Sequence, residues 1–360
     1  MYPVQYLKSM CLKIKLTAPA GGNESLLLRQ TPALNGMSKC GKYRFYINEN
    51  IEDPDFWIVV NKAIRKKESC RVAPENTILA LSEPKSVVNY PKIYRDQFAM
   101  VCSCQENLKH RNVVYTPALL PWFVGCRKNN GKPEYTIDYD FLANTPIPEK
   151  TKLISVITSN KTFTQGHQDR ILFVEKLKNH YGDKLDVYGQ GFNSFDDKWD
   201  ALAPYKYHIA IENSSAKYYW TEKISDCYLA GTFPIYYGCT NLDEYFPTNS
   251  YQLIDIRRFD ESVEIIDKII ANDEYEKRTE VLKECKRLVM DDYNMLNLLA
   301  QYCDSLDAES PKHNVTLKPA ISLLDWHNFY SYVFGRNFMN LKYSIQSLIK
   351  GKSVLYDHQL

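Results

Sequence analysis

The stretch that most constrains this chain is residues 207–238, YHIAIENSSAKYYWTEKISDCYLAGTFPIYYG. Its apolar pattern predicts a buried strand over Tyr207 to Ile211, a polar and aromatic loop from Glu212 to Tyr219, and a helix from Thr221 to Ala230. Gly231 stops that helix, and Phe233 to Tyr237 form the next buried strand. Thr221 suits an N-cap, and Ile224, Cys227 and Tyr228 supply one apolar helix face. A strand–helix–strand unit of this kind belongs to a parallel α/β sheet, where ligands bind at the carboxyl ends of strands beside helix N-termini. Glu212, Asn213, Tyr219, Glu222 and Lys223 fall at that mouth.

The rest of the chain extends the pattern. At 360 residues it is too long for one comfortable core, so two domains are expected. In the first half, residues 12–16, Tyr43 to Ile47, Phe56 to Val60, Thr77 to Leu81, Phe98 to Cys102 and Val113 to Tyr115 read as strands, with a helix from Val87 to Gln97. The segment PALLPWF (117–123) is broken by proline and suits a cleft wall rather than a strand. Residues 126–150 are polar and read as a linker. The second half alternates strands at Leu153 to Thr158, Leu185 to Tyr188 and Tyr251 to Ile254 with helices at Gln168 to Tyr181, Trp199 to Tyr205, Glu261 to Asn272 and Tyr275 to Met290. The expected fold is therefore α/β, with domains at 1–150 and 151–305 and a helical tail at 306–360.

Charge and cysteine usage exclude several classes. With 45 basic and 43 acidic residues, net charge +2, no global field favours nucleic acid. The 10 cysteines form no CxxC pair and read as reduced thiols rather than a disulfide or zinc framework. The N-terminus lacks the apolar core of a signal peptide, and no run reaches the ~20 apolar residues of a membrane span. A cytoplasmic location is expected. The aromatic and basic tail, with Tyr332, Phe338, Lys342, Lys350 and Lys352, suits a packed helix better than an amphipathic one, although the latter would give peripheral contact with the inner face of the cell membrane.

Candidate chemistry gathers at strand ends. Glu83 follows the TILAL strand directly and is braced by Pro84. Lys223, in the first turn of a helix, opposes the helix dipole, a small cost that makes sense if a diphosphate sits there; an ordinary exposed turn accounts for it equally well. Gly189-Gln190-Gly191 is a weak phosphate-loop signal with no GK[ST] after it. Ser159, Asn160, Lys161 and Arg170 add polar and cationic groups at the same sheet edge. Asp138-Tyr139-Asp140 has a metal-binding DxD form but lies in the linker and reads as a solvated turn, as does Asp53-Pro54-Asp55.

The run YKYHIAIENSSAKYYWTEKISDCYLAGTFPIYYG resembles the signature of α-1,3-fucosyltransferases, glycosyltransferase family 10: an E-N pair, an aromatic loop, T-E-K, a helix, then x-P-[IV]-x-x-G. The similarity extends back through LDVYGQG, SNKTFTQGHQDRILFVEKL, PALLPWF and ILALSEPKSVVNYPKIYRDQF, covering roughly residues 50–300. It implies a GT-B architecture, two Rossmann-like domains facing a central cleft, with GDP-fucose bound by the second domain and the acceptor by the first. The implied reaction is inverting: L-fucose moves from GDP-β-L-fucose to a hydroxyl, O3 of GlcNAc in a galactose–GlcNAc glycan, giving an α-linked product. By the same resemblance Glu83 is the general base, Lys223 faces the pyrophosphate, and Asn213, Tyr219 and Glu222 hold fucose and ribose. Arg170 is a phosphate or donor contact. Many relatives carry arginine where this chain has Gln190; Lys161 or Lys198 is expected to supply the missing charge, or donor binding is weaker. No metal site and no required cofactor are implied, with stimulation by a divalent metal left open. The partners are GDP-fucose and a β-galactoside-type glycan. Rival readings are the same fold with another nucleotide-sugar donor or linkage, and a catalytically silent glycan-binding protein.

Overall fold

The computed structural model describes residues 11–19, 23–129, 132–158, 165–189 and 191–323. The first half runs β1 (Leu12–Thr17), α1 (Asn23–Leu28), β2 (Tyr43–Ile47), β3 (Phe56–Val60), β4 (Glu68–Val72), β5 (Thr77–Leu81), α2 (Lys92–Arg95), β6 (Met100–Ser103) and β7 (Val113–Tyr115). Six of these strands form a sheet in the order β2-β1-β3-β5-β6-β7, every pairing parallel. Strands β3 (FWIVV) and β5 (TILAL) are buried at every position, as strands covered on both faces must be. Interior β5 therefore delivers Ser82 and Glu83 to the carboxyl edge of the sheet. The helix expected over Val87 to Gln97 is corrected to the single turn of α2. Pro84 and Pro91 lack the N–H donors that a longer helix needs, and the backbone turns at Pro84 before restarting after Pro91.

Residues 126–150 are more ordered than a linker reading implies. They hold an antiparallel hairpin, β8 (Cys126–Asn129) with β9 (Lys132–Tyr135), and then α3 (Tyr139–Asn144). Asp138 caps α3 by accepting from Phe141 N at 2.8 Å. The guanidinium of buried Arg29 anchors this segment, donating to the carbonyls of Val124 and Ile137 at 2.7 Å each.

The second half runs β10 (Lys152–Ile157), α4 (Gln165–Tyr181), β11 (Leu185–Tyr188), β12 (Tyr205–Ile211), α5 (Glu222–Leu229), β13 (Phe233–Tyr237), β14 (Gln252–Leu253), α6 (Phe259–Ala271), α7 (Thr279–Arg287) and α8 (Met295–Cys303), followed by β15 (His313–Leu317). Its sheet has the order β11-β10-β12-β13-β14, again parallel throughout. The strand–helix–strand expected at 207–238 is present, with β12 and β13 as neighbours and α5 packed on both. The helix expected from Trp199 to Tyr205 is a short turn over Lys198–Ala201, and Tyr205 already belongs to β12.

The second domain was expected to run to residue 305; the packing ends it earlier. Val289 and Met290 lie in the second core, whereas Met295, Leu296, Leu299 and Cys303 of α8 lie in the first, against β1, β2 and β3. Asn294 marks the return: its side chain caps α8 and donates to Gln30 O at 2.7 Å. Just before it, Asp291 accepts from Tyr139 Oη of α3 at 2.7 Å, so the outgoing and returning crossings touch. Where it is described, the tail holds β15, paired antiparallel with β4, and a short 3-10 turn at Ala320–Leu323 rather than a packed α-helix. The tail positions Tyr332 to Lys352 lie outside the described residues. No helix among the described residues is long and apolar enough to cross a membrane.

Candidate active site

At the end of β12, Glu212 is fully buried and its carboxylate organises the mouth of the second sheet. It accepts from Thr221 N at 2.8 Å and from the Thr221 hydroxyl at 2.8–2.9 Å, and it lies 3.2 Å from Lys223 Nζ. The space it needs comes from Gly238, where a Cβ would stand 2.4 Å from Glu212 Cγ. Thr221 thus serves twice, as the N-cap of α5 and as the tie to Glu212. The first two helical residues, Glu222 and Lys223, are aimed by that tie.

A chain of alternating charges follows. Lys223 Nζ is 3.5 Å from Glu222; Glu222 is 3.4 Å from Lys198; Lys198 is 3.0 Å from Asp226. Burial alone would raise the Glu222 carboxyl, but Lys223 and Lys198 outweigh it and hold it at about 2. Burial would lower Lys223, yet Glu212 and Glu222 keep its ammonium above the usual lysine range. Asp226 is pushed up by burial despite Lys198. Its Oδ1 accepts from Phe123 N at 2.9 Å, which pins the PALLPWF segment of the first half to α5. The three carboxylates are offset locally by Lys198, Lys223 and, from α4, Arg170. Buried Arg170 donates to Asn213 Oδ1 at 2.6 Å and feels the charge of Glu212.

Glu83 faces this cluster from the first sheet. It is half-buried, and among the described residues its carboxylate has no hydrogen-bond partner. Desolvation raises its pKa; Lys223 pulls it down and Glu222 pushes it up, so both charges reach it across the cleft. Tyr219 lies between the halves, buried with Cys104 and Ala118. Its phenol is pushed up by burial, then by Glu212 and Glu83. Two further contacts close the cleft beside it: Ser86 Oγ to Ser214 Oγ at 2.8 Å, and Tyr115 stacked on Tyr218 at 5.1 Å and 7°.

Glu83, Arg170, Asn213, Tyr219, Glu222 and Lys223 are thus brought to one cleft, while Lys161 and Gln190 lie outside the described residues, as do Ser159 and Asn160. Gly189 has a structural reason of its own. With φ at 121°, a Cβ there would stand 1.7 Å from Thr158 O, so β11 can pass β10 only with glycine at this position. The acidic triplet is accounted for by packing, since Asp138 caps α3 and Asp140 accepts from Ala33 N at 2.8 Å. Asp55 likewise holds Lys13 N and Lys312. Among the described residues no group of three His, Cys, Asp or Glu side chains is placed to hold a metal.

Sequence reasoning missed Asp226 and gave Glu212 no role. Asp226 lies four residues after Glu222, one turn along the same helix face, which was a usable signal. Glu212 sits at a strand end just as Glu83 does.

Residues 147–280 match the family model described as glycosyltransferase family 10 (fucosyltransferase) C-term. This segment is similar to the C-terminal domain of family 10 fucosyltransferases. The matched segment includes β10 to α6 and so carries Arg170, Asn213, Tyr219, Glu222 and Lys223. Among curated relatives, α-(1,3)-fucosyltransferase FucT of Helicobacter pylori is 35% identical over 77 residues, 21% of this chain and 16% of that protein. Human 4-galactosyl-N-acetylglucosaminide 3-α-L-fucosyltransferase 9 is 30% identical over 110 residues, 29% of each chain. The matches thus span less than a third of these relatives' length. A crystal structure of an α1,3-fucosyltransferase with GDP superposes with a TM-score of 0.47 at 16% identity, over 80% of this chain and 92% of that one. The two sheets, each parallel throughout, make the chain an α/β protein of two halves.

Proposed function

We propose that this chain is an α-1,3-fucosyltransferase, transferring L-fucose from GDP-β-L-fucose to O3 of GlcNAc in a galactose–GlcNAc glycan. The observation that carries the reading is Glu83 projecting from the first sheet toward the Glu222–Lys223 turn of the matched segment. In this reading Glu83 takes the proton of the acceptor hydroxyl as it attacks the anomeric carbon, opposite the departing diphosphate, and the configuration inverts. A base raised above the ordinary carboxylate range suits that task near neutrality. Lys223 and Arg170 stabilise the leaving diphosphate at the positive end of the α5 dipole, with Lys161 added. Asn213, Tyr219 and Glu222 hold fucose and ribose hydroxyls.

The chemistry proposed needs no metal, since cations of the chain itself meet the diphosphate. Incubation with GDP-fucose and a panel of β-galactosides, with and without EDTA, tests the whole reading. Transfer that survives EDTA is expected. Transfer lost on chelation and restored by manganese would overturn the metal-free part. Failure to bind GDP would overturn the enzyme reading altogether.

A further inference from the structure

A cavity of about 270 Å³ opens beside the α5 turn, far above the ~10–15 Å³ that one water needs. Its walls combine the apolar side chains of Phe195, Leu202 and Ala210 with Lys198, and His208 of β12 is part of its lining. The mechanism above makes no use of His208. The ring is buried, at 4% exposure, and its Nδ1 lies 2.8 Å from Ser155 Oγ.

That serine settles the tautomer. Ser155 Oγ is also 2.7 Å from the Ala201 carbonyl, which can only accept. The single hydroxyl hydrogen therefore goes to Ala201, and Nδ1–H of His208 must donate to the serine oxygen. The imidazolium form is disfavoured by burial and then by the nearby Lys198 charge, which together push the ring down to about 3. A neutral ring protonated on Nδ1 carries a lone pair on Nε2, and no described residue pairs with that nitrogen. Close by, Lys198 spends two of its three N–H groups on Glu222 and Asp226.

We propose that His208 determines base specificity: its Nε2 accepts the ring N–H of a guanine-type lactam while Lys198 donates to the adjacent carbonyl. An acceptor next to a donor matches a carbonyl beside a ring N–H and repels adenine, whose ring nitrogen accepts and whose amino group donates. The inference rests on the nucleoside diphosphate reading of the site and adds a residue outside the signature roles.

Calorimetric titration of the full chain with GDP, inosine diphosphate and ADP tests it. Wild type is expected to bind GDP and inosine diphosphate within a few-fold of each other, and ADP at least about 100-fold more weakly. His208→Asn keeps a partner for Ser155 but withdraws the acceptor; about a tenfold loss of GDP affinity is expected, with ADP unchanged. His208→Gln, whose amide reaches the Nε2 position, restores most of the loss. A merely structural role predicts the reverse order, with the asparagine variant the milder. Unchanged GDP affinity in a His208→Asn protein that melts like wild type overturns the proposal, as does wild-type binding of ADP as tight as GDP. A wild type that binds none of the three overturns the donor reading itself, which separates the two failures.

Discussion

Glu83 and Glu222 face each other across one cleft, yet their surroundings drive them in opposite directions. Glu83 is partly desolvated, and of the two charges that reach it the anion offsets the cation, so its pKa rises. Glu222 is wedged between Lys223 and Lys198 and stays ionised down to about 2. Two identical carboxyl groups are thus shifted in opposite directions through their neighbours alone, as the proposed base and a fixed anion would need. The difference also shows in construction. The α5 side is a closed network in which each charge has a partner, whereas the β5 side presents one bare carboxylate to the cleft.

The sharpest way to break that contrast is Glu83→Gln. Transfer should fall by roughly 10²–10⁴-fold while GDP affinity measured by calorimetry stays within about twofold. A parallel loss of GDP binding would move Glu83 out of the base role. Next in size, Lys223→Ala removes the cation shared by both regions and should weaken GDP binding by about 10–100-fold. It should also destabilise the fold by about 3 kcal/mol, because buried Glu212 is left uncompensated. Adding Glu212→Gln should recover stability in a denaturant titration without recovering binding.

A smaller effect bears on the coupling between the two sides. Only ionised Glu83 can act as a base, so kcat/KM should fall on the acid side, through a pKa above the ordinary carboxylate value. Glu222 helps to hold that pKa up. Glu222→Gln removes its negative charge and should shift the acid limb to lower pH; a shift upward would contradict the proposed coupling. Smallest of all, Tyr115→Ala breaks the stack with Tyr218 and should cost about 0.5–1.5 kcal/mol in thermal unfolding.

How much of this was legible in the sequence follows the range of the interactions. Strands β2, β3, β5, β7, β11 and β13 are visible as local apolar runs, and Thr221 as a cap needs only its own helix. The β4–β15 pair was invisible because it joins Cys70 to Val315, and neither segment has the buried run of a central strand. The hairpin at 126–135 is short, polar and partly exposed, so it carries no core signal. Helix α8 was apolar enough to notice, but nothing in MLNLLAQYC says which of two cores it fills. In the site the same division holds. The contiguous T-E-K turn could be read directly, whereas Asp226 gains its meaning from Phe123 N, more than a hundred positions away in sequence.

The contact between Tyr139 and Asp291 has a mechanical consequence. The chain passes from the first sheet to the second and comes back, and that bond joins the two passages. A rotation of one half on the other centred there would leave both backbone links unstretched, at the cost of the Ser86–Ser214 and Tyr115–Tyr218 contacts across the cleft. Substrate entry would then be the swing of a jaw, with Glu83 on one lip and Lys223 on the other. Cutting the chain at residue 150 would remove α8 from the core under Glu83, so the first half cannot be isolated as a continuous segment.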